Sequence, residues 1–131
     1  MGYYLSTKLD RPFEEAVSLV VGALKSEGFG VLTEIDVQAT LKAKLGVDFR
    51  RYRILGACNP PFARRALELE DKIGLMLPCN VIVQELGNGL IEVAAIDPVG
   101  SMQAVGNPTL AKLGAEVRQK LALVIEAVGA G

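Results

Sequence analysis

Apolar residues recur at helical spacing in several stretches of the chain and alternate with polar residues in others. Phe13, Ala16, Val17, Val20, Val21 and Leu24 form one helical stripe, with Asp10 and Pro12 as cap and first-turn proline and Gly28 as the left-handed stop. The strongest stripe, Leu110, Leu113, Val117, Leu121, Val124 and Val128, follows Asn107-Pro108 and predicts the longest helix, with Leu123 and Ile125 widening its apolar face. Two shorter helices are expected between them. One, capped by Asp36 and ended by Gly46, turns Val37, Leu41 and Leu45 inward; the other starts at Asn59-Pro60 and carries Phe62, Ala66, Leu69 and Ile73 on its buried side.

Strands are predicted over residues 3–8, over Phe29 to Ile35 with Val31 and Ile35 on the face of Phe29, and over Arg51 to Ala57. Leu75 to Leu86 reads as an extended stretch broken by Pro78, joined to Ile91–Asp97 by Gly87-Asn88-Gly89, the clearest hairpin in the chain. Asp97-Pro98 closes that strand, and a glycine-containing loop leads to the last helix. The order β-α-β-α-β-α-β-β-α, without a glycine-rich phosphate turn, predicts an α+β fold: a mostly antiparallel or mixed sheet packed by helices on one face.

With 131 residues and no linker, repeat or low-complexity segment, residues 1–131 are expected to form a single domain. The 14 basic and 15 acidic residues leave a net charge of −1, and aromatics are few, so no nucleic-acid partner is expected. Histidine is absent, which excludes every His-dependent triad or zinc site. The first ten residues do not read as a signal peptide, and no apolar run approaches membrane-spanning length, so no membrane partner is expected. Two cysteines do not make a secreted disulfide scaffold; reduced thiols and a cytoplasmic location follow.

Each cysteine stands directly before an asparagine, Cys58-Asn59 and Cys79-Asn80, and each lies at a strand end. The helix starting at Asn59-Pro60 has a dipole and unpaired N–H groups that favour a thiolate at Cys58, and Arg64 and Arg65 add positive potential. If the two strands are neighbours, Cys58 and Cys79 approach, giving a site for a disulfide or a soft metal such as Cu(I), with Asp97 the best-placed further ligand in sequence. Arg53, Arg64 and Arg65 are the side chains expected to hold an anion at the same place. The competing reading makes both thiols small buried hydrophobes.

The stretches V-Q-A-T-L-K-A-K-L-G, Y-R-I-L-G-A-C-N-P, L-M-L-P-C-N-V-I-V and A-I-D-P resemble the domain-of-unknown-function family numbered 302, and the resemblance runs from about Tyr4 to Val124. It implies a compact α+β fold grouped with TATA-binding-protein-like sheets, and a homodimer. It implies no activity and no DNA binding, because function resides in sites and not in folds.

Three functions are therefore expected in turn. The first is a cytoplasmic module binding a small thiophilic or anionic ligand, or a soft metal, through Cys58, Asn59, Cys79, Asn80, Arg53, Arg64 and Arg65. The second is a redox or sulfur-transfer enzyme with Cys58 as nucleophile and Cys79 as resolving thiol. The third is a homodimeric interaction protein using the last helix or a sheet edge. No residue pattern identifies a cofactor.

Overall fold

The structure, a computed structural model, describes residues 2–131; Met1 lies outside the described residues. Five strands, β1 (Tyr4–Leu9), β2 (Gly30–Asp36), β3 (Tyr52–Cys58), β4 (Cys79–Glu85) and β5 (Ile91–Ile96), form one sheet in the order β1-β5-β4-β3-β2, with every neighbouring pair antiparallel. The helices are α1 (Phe13–Ser26), α2 (Val37–Leu45), α3 (Pro60–Leu69), α4 (Pro98–Gln103) and α5 (Pro108–Ala130), and a 3-10 segment, Asp71–Met76, links α3 to β4. The expected α+β class and order of the main elements hold.

Helices α1 and α5 pack against each other and against one face of the sheet. Leu24 on α1, Leu55 on β3, Val81 and Val83 on β4, Val93 on β5 and Leu121 on α5 are completely buried between these layers. Each large aliphatic side chain removed from water there contributes about 1.5–3 kcal/mol. A second cluster of Ala66, Ile73, Met102, Leu110 and Leu113 fills the space where α3, α4 and the start of α5 meet, and Phe62 touches both clusters.

Close helix contact explains one small residue. A methyl group at Gly114 on α5 would stand 2.9 Å from Met102 Cγ and 3.3 Å from the Pro98 carbonyl oxygen, so glycine lets α4 lie against α5. Helix α4 itself occupies what the sequence reading takes as loop. It begins at Asp97-Pro98, the same cap-and-proline start as Asn107-Pro108, and the Asp97 carboxylate accepts from the Val99 N–H at 3.0 Å.

Other expectations fail for identifiable reasons. A register irregularity between Val31 and Thr33 inserts a residue into β2, so Val31 faces the helices while Ile35, paired with Ile54, turns to the uncovered face and is 47% exposed. Helix α2 buries none of its side chains, Leu45 being 69% exposed, because it lies beside the β2–β3 edge and not over the core. Helix α1 starts after Pro12 without a side-chain cap, so Asp10 does not cap it, and Val21 falls off its buried face. Helix α3 ends at Leu69, and Ile73 reaches the core from the 3-10 segment that replaces the start of the expected extended stretch. On α5, Ile125 belongs to the core; Leu123 remains exposed.

The other face of the sheet is left uncovered by α1 and α5 among the described residues and is more apolar than a solvated face ordinarily is. Ile35, Ile54, Ile82 and Ala94 are successive cross-strand partners in a row across β2, β3, β4 and β5. A polar row flanks it: Arg50 Nε donates to Gln84 Oε1 and Gln84 Nε2 donates to Glu92 Oε1, each at 2.8 Å.

Candidate functional site

Strands β3 and β4 are neighbours, and Ala57 lies directly opposite Cys79, so Cys58 is one residue beyond the partner of the second cysteine. Both thiols are free, partly buried, and line one cavity of about 330 Å³. Phe62, Ala63 and Ala66 of α3 form one wall, and Met102, Leu113 and Val117 of α4 and α5 form another. Pro78 and Leu77 close the β4 side, while the exposed side chains of Leu32 and Leu67 stand at the rim. No charged side chain lines it among the described residues.

Burial, followed by repulsion from Cys58, pushes the Cys79 thiol up to about 11. Cys79 is therefore protonated near neutral pH, which is poor chemistry for an attacking or resolving thiolate.

Asn59, also lining the cavity, is buried and occupies the N-cap position of α3, yet its side chain does not cap that helix. Its Nδ2 instead donates to the Glu27 carbonyl at 3.3 Å. That bond ties the start of α3 to the turn after α1, where Gly28 adopts φ of +86° and a Cβ would approach Asn59 Nδ2 to 3.1 Å. The helix start is also less receptive to anions than its sequence suggests. Pro60 and Pro61 carry no N–H, which removes two of the four donors that a helix start ordinarily leaves free for an anion.

The remaining expected site residues lie elsewhere. Asn80 follows Cys79 by one residue on β4 and so turns to the uncovered sheet face, which it shares with Arg50 and Tyr52. Arg53, only 14% exposed, stands at the far end of β3, where Nη1 and Nη2 each donate to the Glu14 carboxylate at 3.0 Å and Glu34 and Asp36 lie at 3.2 and 3.8 Å. This network lowers Glu14 and raises Arg53 from their ordinary values, mainly through their mutual hydrogen bonds. Arg64 is 82% exposed and pairs loosely with Glu68 at 3.7 Å; Arg65 lies 3.7 Å from Glu116 and over the Phe62 ring. Asp97, besides capping α4, accepts from Arg118 Nε at 2.9 Å. Among the described residues no three cysteine or carboxylate side chains cluster for a metal, so the expected trio of Cys58, Cys79 and Asp97 is not assembled.

The sequence reading misses the α4–α5 wall of the cavity. Its signals were the Asp97-Pro98 helix start and the small residue Gly114 within the strongest apolar stripe, both legible only with the close packing in view.

The family described as domain of unknown function DUF302 matches residues 5–128. The chain belongs to the DUF302 family. A DUF302 chain from Bacillus stearothermophilus, described as an uncharacterized conserved protein and solved by crystallography, is similar over 98% of this chain and 99% of its own, with a TM-score of 0.91 and 28% identity. No curated protein matches. The DUF302 match thus covers nearly the whole chain and its fold, while the family description assigns no activity.

Proposed function

We propose that the protein is a small-ligand binding module whose site is the cavity beside Cys58 and Cys79. One observation carries this reading: a cavity of about 330 Å³, within the size range of small-molecule sites, enclosed by sheet end, α3, α4 and α5 and open at a leucine-lined rim. Cys58, Cys79 and Asn59 remain its polar and soft groups; Asn80, Arg53, Arg64 and Arg65 serve other contacts. The free thiols fit a reducing compartment, and we take the cytoplasm as the place of action. No helix among the described residues is long and apolar enough to cross a membrane.

The test uses 1-aminoanthracene, an uncharged fluorescent probe, titrated into the intact protein. Saturable one-to-one binding, lost in Ala63→Phe while circular dichroism stays native, supports the cavity. Absence of saturable binding, or equal binding by a folded Ala63→Phe protein, overturns it.

A second reading is favoured by the uncovered sheet face: we propose that two copies pack through it as a homodimer. Helix α5, one of the two interfaces expected from sequence, the other being a sheet edge, has already committed its apolar stripe to the core, whereas the Ile35–Ile54–Ile82–Ala94 row carries no element over it among the described residues. A two-fold axis along β4 stacks β3 of one copy over β5 of the other, large Ile54 on small Ala94 and the Arg50 end over Glu92. Five strands of about six residues present about 500 Å² in projection, before side-chain relief is added, against about 800 Å² per partner in a standard interface. Sedimentation should show a dimer that Ile82→Glu converts to a folded monomer; a native monomer at high concentration removes this reading and leaves the cavity untouched.

A further inference from the structure

We infer that the cavity is selective for an uncharged, chiefly apolar molecule of about ten non-hydrogen atoms, with anions, cations and chelated metals excluded. This rests on the binding reading above and narrows its ligand. Asn59 directs an amide hydrogen to the Glu27 carbonyl, and the paired prolines opening α3 remove two of the four donors that a helix start ordinarily offers. Arg64 and Arg65, the nearest cations in sequence, are not among the lining side chains, and each has a carboxylate 3.7 Å away.

A ligand charge brought inside would lose its hydration and gain no partner of opposite sign. Of the two thiols, Cys79 supplies none, since burial holds it in its neutral form. Thiols are weak hydrogen-bonding groups with polarizable sulfur, suited to contact with hydrocarbon or aromatic carbon. Size follows from the volume: at about 30 Å³ for each water of the liquid, the space holds on the order of ten waters, hence about as many heavy atoms. The rim agrees with the lining. Leu32 and Leu67 are 67% and 45% exposed at the opening, so an apolar ligand longer than the cavity would continue over leucine and not into bare water.

A matched series tests this: 1-nonanol, nonanoate and nonylammonium titrated into the intact protein by calorimetry, each also used to displace 1-aminoanthracene. The alcohol should bind at least tenfold more tightly than either ion, and Ala63→Phe should abolish its binding. Nonanoate or nonylammonium binding as tightly as nonanol, with displacement of the probe, would overturn the selectivity while leaving a ligand cavity in place. If none of the three displaces a probe that itself binds saturably, the selectivity fails again; if the probe does not bind, the underlying site reading fails.

Discussion

Cys79 is expected to be nearly inert toward alkylation at neutral pH, and its ionisation should lower stability at alkaline pH. The thiol stands on β4 opposite Ala57, packed against the main core, and burial first, then repulsion from Cys58, raises it from 9.0 to about 11. Two units leave about one-hundredth of the usual thiolate fraction at pH 7.5, so iodoacetamide should modify Cys79 about a hundredfold more slowly than the same thiol in urea. The linked stability effect has a definite sign. The fold favours the protonated form, so the contribution is whole below pH 9 and is lost as pH rises from 9 through 11, to a limit of about 2–3 kcal/mol. Urea midpoints of the native protein and of Cys79→Ala, measured from pH 8 to 10.5, should therefore converge or cross as the native advantage disappears. Peptide mapping after timed alkylation reads the first effect. Equal rates in folded and unfolded protein, or a pH-independent difference between the two proteins, would refute the burial argument.

Further outcomes follow from other contacts. In Gly56→Ala the new methyl would collide with Thr33 Oγ1 and stand 2.8 Å from Pro78 Cγ, so a loss of about 1–3 kcal/mol is expected, partly relieved by Thr33→Ala in a double-mutant cycle of urea unfolding. Glu14→Gln should cost about 1 kcal/mol, since Glu14 is largely exposed although Arg53 is not. Because Glu14 is held below 4.5, its contribution is complete above that pH and fades as pH falls below it; acid titration of stability should be flatter in Glu14→Gln. Asp97→Ala removes both the α4 cap and the Arg118 partner and should cost about 1–2 kcal/mol, with Asp97→Asn, which keeps a capping oxygen, losing less by thermal unfolding.

The local signals that survive folding are those written into neighbouring residues. The α1 and α5 stripes, the caps at Asp36 and Asn107, and the Gly87-Asn88-Gly89 hairpin depend on spacing and turn chemistry alone, and the structure keeps them. What was illegible depends on residues far apart. The β2 irregularity that turns Ile35 outward has no mark in the alternation of Phe29 to Ile35, and the exposure of α2 reflects its seat at the sheet edge. The same division holds at the site. Cys58, Asn59 and Cys79 announce themselves through repetition and come together across adjacent strands. Asn80 repeats the pattern but strand alternation sends it to the opposite face, and Arg53, five residues from Cys58 along β3, finds Glu14 instead. Proximity in sequence on a strand changes face at every step and moves about 3.4 Å each time, so a cluster of charged letters there need not be a cluster in space.

The most direct measurement is a methyl-labelled NMR titration of the intact protein with 1-nonanol, resolving leucine, valine, isoleucine and methionine signals. Saturable shifts are expected at Leu32, Leu67, Met102, Leu113 and Val117, around the cavity, with Ile35, Ile54 and Ile82 on the uncovered sheet face unmoved. Shifts centred on those isoleucines, or none that saturate, would contradict it.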